Sequence, residues 1–256
     1  MDEHEMKLKP LGWGASVAIF LLTAIMLRIT HYSFVTAIKT VTGKPYLFGY
    51  LIGWVSTMFL FFLASLIAYK LDGCATTLQA FTARFRLDKM ERADWVWAFA
   101  MIVLSIVFIF VLSFSAGLLK SVPFFIPHPL FPPDMVDMTN NLRSGYLFEM
   151  PLQGQWWLIV VYFLGWLLNI LGEEFWYRGW MLPRQEVAFG KFAWIINGLM
   201  FNFQHTYQPW NLLAMLPGSL FVSYAVQRQR KTWMSIIWHG FVNSSLLIFV
   251  IQGVIV

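Results

Sequence analysis

The residue types and spacings that could do chemistry in this 256-residue chain are Glu173, Glu174, Arg178, Phe201, His205, His239 and Asn243. Glu174 and Arg178 are four apart in LGEEFWYRGW, so on a helix they share a face and can form an ion pair. Glu173 then points about 100° away and stays available. A carboxylate withdrawn from water becomes a stronger proton acceptor, which suits a general base. The competing reading is a buried ion pair that only fixes helix packing, and on this cluster alone the two readings stand level. In FNFQH, Phe201 and His205 are four apart, so the ring can pack on the imidazole. A single His in an apolar helix packs more often than it catalyses. In HGFVN, His239 and Asn243 again share a face. Both can donate to one point, as an oxyanion requires. The plainer reading is an interhelical hydrogen bond worth about 1 kcal/mol.

The elements that must position these groups are apolar. Hydrophobic residues make up 59% of the chain and charged residues 12%, and mean hydropathy is +0.63. Soluble domains carry about 25% charged residues, so lipid is the solvent this surface requires. Seven apolar segments stand out: Trp13–Phe34, Tyr46–Leu71, Trp95–Leu119, Trp156 to about Pro183, Phe192 to about Tyr207, Asn211–Val226 and Trp233–Val256. The fold expected is an all-α transmembrane bundle of about seven spans with an intramembrane polar cavity. The first three segments hold almost no ionisable group, Arg28 and His31 excepted. Each ion at mid-bilayer costs roughly 2.5–3.5 kcal/mol, so the Glu, Arg and His residues of the later segments must pair, line a wet pocket, or work.

Loop charges orient the bundle. With the N-terminus cytoplasmic, the cytoplasmic side holds Lys7, Lys9, Lys70, Arg84, Arg86, Lys89, Arg92, Arg184, Lys191, Arg228, Arg230 and Lys231, against Lys39, Lys44, Lys120 and Arg143 opposite. This twelve-to-four asymmetry fits the positive-inside rule and explains the net charge of +5 without nucleic acid. Leu78–Asp94 reads as an interfacial amphipathic helix. The Lys120–Gln155 stretch, with Pro123, Pro127, Pro129, Pro132, Pro133 and Pro151, reads as an extended external loop. Trp95, Trp97, Trp156, Trp157, Trp194 and Trp233 read as an aromatic belt. Residues 1–155 thus read as an N-terminal three-span region and 156–256 as the part that carries the candidate chemistry. Cys74 is the lone cysteine, so no intrachain disulfide forms. The N-terminal MDEHEMKLKP shows no cleavable leader.

EExxxR, FxxxH and HxxxN, in that order on successive segments, resemble the motifs of the CPBP family. It includes the CAAX prenyl endopeptidases of the Ras-converting type and the Abi proteins of bacteriocin immunity. The RGWMLPRQE continuation and the basic QRQRKTW loop before the last His strengthen the likeness, which covers roughly Trp156–Asn243, about a third of the chain. The resemblance implies that Glu173 activates water and that His205 positions or deprotonates it. His239 and Asn243 would stabilise the oxyanion, with Glu174 and Arg178 in support. An older proposal for the family is a single divalent metal, for which Glu173, His205 and His239 would be the Zn ligands. The metal-free version, requiring no cofactor, is favoured because Asn243 is a poor Zn ligand and a good oxyanion donor. Spacing from the loops puts Glu173 and His205 at nearly equal depth. His239, eight residues after Lys231, should sit shallower unless its helix starts late or tilts.

The activity expected is hydrolysis of a peptide bond in a membrane-associated substrate, a peptide or a lipidated (prenylated) protein, at the bilayer. The alternative is a non-proteolytic scaffold or immunity protein that binds a membrane partner. A small proton-relaying transporter is a third reading, without the paired half-repeats such folds show. H-E-x-x-H and G-x-S-x-G are missing. The compact loops point to a prokaryotic plasma membrane.

Overall fold

The computed structural model describes residues 8–131, 136 and 144–256. Lys7, Pro132, Pro133 and Arg143, which entered the loop argument above, lie outside the described residues. The chain runs through α1 (Trp13–Arg28), a π-helical turn (Ile29–Phe34), α2 (Val35–Thr42), α3 (Tyr46–Leu71), α4 (Leu78–Arg84) and α5 (Arg92–Leu119). A short hairpin follows, β1 (Tyr146–Leu147) and β2 (Met150–Pro151). Then come α6 (Trp156–Glu173), a second π-helical turn (Glu174–Met181), α7 (Leu182–Phe189), α8 (Ala193–Phe203), α9 (Leu212–Gln229) and α10 (Trp233–Ile255).

Five helical stretches among the described residues are long and apolar enough to cross a membrane: Trp13–Thr42, Tyr46–Leu71, Arg92–Leu119, Trp156–Phe203 and Trp233–Ile255. The count of about seven is not reached, for a physical reason. Where the fifth span was expected stands α8, whose 11 residues reach about 16 Å against a hydrocarbon core of about 30 Å. Where the sixth was expected stands α9, interrupted by Pro217 and ending in the polar Gln227, Arg228 and Gln229. The Trp156–Phe203 run is not one rod. At Gly190 the backbone takes φ +55, and Asn197 reaches back to Gln185 and Tyr177.

Four apolar clusters hold the bundle among the described residues, two of them larger than the rest. One packs α1, α3, α6, α10 and the hairpin around Leu47, Tyr50, Met58, Phe148, Tyr162 and Val250. The other packs α5, α7, α9 and α10 around Met101, Leu182, Val222 and Met234. Outward-facing residues such as Leu22, Phe99, Phe110, Phe114 and Val160 are exposed and apolar, as a lipid-facing surface requires.

Two loop expectations change. The amphipathic helix expected over Leu78–Asp94 is only the seven-residue α4, N-capped by the Thr77 side chain, which accepts from Ala80 N–H. Two of the segment's arginines are turned inward and paired. Arg84 donates to Asp72 and to the Gly179 carbonyl, and Arg86 makes a two-bond pair with Glu186 at 2.6 and 2.7 Å. Arg184 also bonds Asp72. The expected extended loop folds back at its end. Phe148 and Glu149 form the hairpin turn at φ +46 and +69. Phe148 is buried with its ring 4.8 Å from that of Tyr50, and Glu149 pairs with Lys39.

Candidate active site

Glu173 closes α6 and Glu174 opens the π-helical turn. Local sequence and packing favour a turn here. Pro183 has no N–H, so the Gly179 carbonyl loses its α-helical donor, and Arg84 Nη1 supplies one at 2.9 Å. The Tyr177 carbonyl accepts from Leu182 N–H, one residue further than in an α-helix, and from Asn197 Nδ2 at 3.1 Å. Asn197 also bonds Gln185 Oε1 and accepts from Ser223. The π turn is thus satisfied by side chains from α4 and α8, and such turns recur at functional sites. Two glycines allow the close approach. A Cβ at Gly172 would lie 2.6 Å from the Met58 carbonyl oxygen of α3, and one at Gly179 would lie 2.5 Å from Phe85 Cδ1.

The adjacent carboxylates part company. Glu174 is fully buried. Its Oε1 accepts from Arg178 Nη1 at 3.3 Å and from His239 Nδ1 at 2.8 Å. The Arg178 guanidinium lies 3.6 Å from the Phe201 ring centroid, a cation–π contact strengthened by exclusion of water. Glu173 instead faces a cavity of about 270 Å³, and its Oε2 lies 3.8 Å from His239 Nε2. His239 therefore bridges the two, at the depth of both, and not shallower as loop spacing implied.

His205 sits in the turn after α8 and lines the same cavity. Its Nδ1 lies 2.9 Å from the Phe201 carbonyl. A carbonyl only accepts, so Nδ1 carries the proton and Nε2 is left as an acceptor. Phe201 packs on this imidazole edge-on at 5.1 Å, as the spacing implied.

Asn243 also lines the cavity. Its Nδ2 donates to Asn169 Oδ1 at 3.1 Å, and Asn169 Nδ2 lies 3.2 Å from Met58 Sδ. Asn169 precedes Glu173 by one turn, and Asn243 follows His239 by one turn. The two pairs, Glu173 with His239 and Asn169 with Asn243, form an antiparallel ladder between α6 and α10. His239 and Asn243 do not converge freely on one point; each is partly committed to α6, and Asn243 keeps one N–H for another acceptor. Asn169 was missed from the sequence. A polar amide four residues before Glu173, in an otherwise apolar run, was its signal. Tyr50, Tyr162 and Tyr207 also line the cavity without having been singled out.

Glu173, His205 and His239, the ligands of the Zn reading, all line the cavity. Glu173 and His239 approach each other, but among the described residues no three His, Cys, Asp or Glu side chains are grouped to hold a metal ion. The donor set that is present suits proton transfer and hydrogen bonding.

Residues 155–245 match the family model described as Rce1-like, type II CAAX prenyl endopeptidase. The match agrees with the CPBP likeness, and it spans the three motifs and Asn169. No curated protein and no solved structure matches the chain.

Proposed function

We propose that the protein is an intramembrane endopeptidase of the CPBP type that cleaves a membrane-associated, prenylated peptide or protein near the cytoplasmic leaflet, using water activated by Glu173 and His205. One observation carries the reading most. Of two adjacent buried carboxylates, Glu174 is tied to Arg178 and His239, whereas Glu173 is turned into a cavity shared with His205.

In this reading a water lies between Glu173 and the Nε2 acceptor of His205. Glu173 takes its proton as the oxygen attacks the scissile carbonyl carbon. The oxyanion that forms accepts from the uncommitted N–H of Asn243 and from His239 Nε2 when that nitrogen is protonated. Glu174 accepts from Nδ1 and fixes the His239 ring. Collapse of the intermediate expels the amine, which recovers the proton from Glu173. The family match supports a peptidase, and the bundle's apolar exterior supports a substrate delivered within the bilayer. The basic end of the bundle, with Lys70, Arg84 and Arg184, is the cytoplasmic one in this reading.

The test compares host cells carrying wild type, Glu173→Gln or His205→Ala by mass spectrometry of protein termini. New termini that occur with wild type alone are expected. Termini retained by a folded Glu173→Gln protein would overturn the mechanism. Identical profiles with a retained native phenotype would favour partner binding without proteolysis.

A further inference from the structure

The cavity has a third imidazole, which the proposed mechanism does not use. His31 comes from the π-helical turn after α1, far outside the matched 155–245 segment, yet it lines the same cavity as Glu173 and His205. It is 4% exposed, and its Nδ1 lies 2.8 Å from the Leu27 carbonyl. The carbonyl accepts, so Nδ1 holds the proton and Nε2 is an acceptor. His205 is built the same way, with Nδ1 on the carbonyl four residues earlier. The Tyr207 ring stands between the two imidazoles. It stacks on His31 at 4.1 Å and 14°, and lies 5.9 Å from His205.

The neighbours of His31 tie its turn to the segment that carries His205 and Tyr207. Arg28 Nη1 donates to the Thr206 carbonyl at 3.0 Å, and the Tyr32 hydroxyl donates to the Tyr207 carbonyl at 2.8 Å. The α1 turn thus grips the segment carrying His205 on both sides of His31. No hydrogen bond to His31 Nε2 is formed among the described residues, and the ring lines the open cavity instead of being sealed in packing. A fixed, partnerless acceptor on a cavity wall is suited to a ligand that brings the donor. An extended peptide offers one N–H per residue; a lipid chain offers none.

We propose that His31 is a substrate-binding residue whose Nε2 accepts a hydrogen bond from a backbone N–H of the peptide held in the cavity. The ligand's identity rests on the endopeptidase reading; the subsite itself rests on the geometry of α1. A merely structural His31 would serve by stacking on Tyr207, and the two roles separate by substitution. His31→Phe keeps an aromatic ring and removes the acceptor. His31→Gln removes the ring and returns an acceptor at similar reach.

The experiment measures affinity of purified full-length protein in nanodiscs for a fluorescent farnesylated CAAX-type peptide. Glu173→Gln keeps the peptide intact, alone or combined with either His31 change. The double variant with Phe should bind about tenfold more weakly, and the one with Gln within about threefold of the parent. With Glu173 intact, His31→Phe should raise KM while kcat moves little. Binding unchanged by Phe, or weakened by Gln more than by Phe, overturns the subsite, as does failure of the parent to bind the peptide. If the affinities keep the expected order while wild type cleaves nothing, the protease reading fails and the subsite stands. If cleavage is sound and the affinities are equal, the reverse holds.

Discussion

Gly172→Ala should disable the site without touching any polar group in it. The added Cβ would lie 2.6 Å from the Met58 carbonyl oxygen, a backbone atom that cannot rotate away. Ordinary contact begins near 3.4 Å, so α6 must retreat from α3 by roughly 0.8 Å. Glu173 and Glu174 follow immediately in the chain and move with it. A shift of that size takes the Glu174–His239 pair, now 2.8 Å apart, out of good hydrogen-bond geometry. A misplacement near 1 Å costs about 100-fold in rate. The control is Gly240→Ala, next to His239 on the facing helix. Its Cβ would meet nothing closer than 3.5 Å, at Ile170 and Trp166. Initial cleavage rates of both purified variants, with thermal unfolding to show that each is folded, should differ by about two orders of magnitude. A folded Gly172→Ala protein with the rate of Gly240→Ala would refute the claim that the α3–α6 approach sets the carboxylates.

Two further outcomes follow from the same geometry. Arg178→Met leaves Glu174 buried without its cation and should cost about 3–5 kcal/mol of stability, read by denaturant unfolding in detergent; a loss under 1 kcal/mol would mean His239 alone suffices. At the turn beyond α3, burial holds the Cys74 thiol's pKa above its ordinary value, so little thiolate exists at pH 8. Its alkylation by iodoacetamide should be at least about tenfold slower than in unfolded chain, whose thiol titrates near 8.5; equal rates would contradict that burial.

The site was legible where chemistry lies within one segment and illegible where it depends on which helices meet. Glu174 and Arg178 pair as their four-residue spacing implied. The bond from Glu174 to His239, 65 residues away, could not be read, because spacing along a helix says nothing about its neighbour. His31 was visible as an ionisable group in an apolar run, but nothing local said that α1 reaches the cavity. Leu78–Asp94 misled for a related reason. Alternation of basic and apolar residues fits headgroups equally well as buried acids, and Asp72 and Glu186 captured the arginines. The hairpin escaped notice because its turn places Phe148 and Glu149 at positive φ, where Asn or Gly is the usual signal. The count of about seven spans is not confirmed: α8 gives up length where Asn197, Asn202 and the following His205 are buried in the interior, and α9 is interrupted by Pro217.

The π turn at Glu174 shows why the carboxylates depend on parts of the chain far from them. A continuous α-helix through 173–183 would need a donor at Pro183 that does not exist, and the turn needs carbonyl partners that α6 cannot supply. Arg84 satisfies Gly179, and Asn197 satisfies Tyr177. Arg84 is in turn held by Asp72, which also binds Arg184. Three charged side chains at the end of the bundle thereby anchor the backbone that separates Glu173, facing the cavity, from Glu174, facing Arg178. Asp72 and Arg84 lie outside the matched segment, so the 155–245 region does not by itself fix the geometry of the candidate site. The N-terminal half supplies that support at the basic end and, through α1, the gripping of the His205 turn at the other side of the cavity.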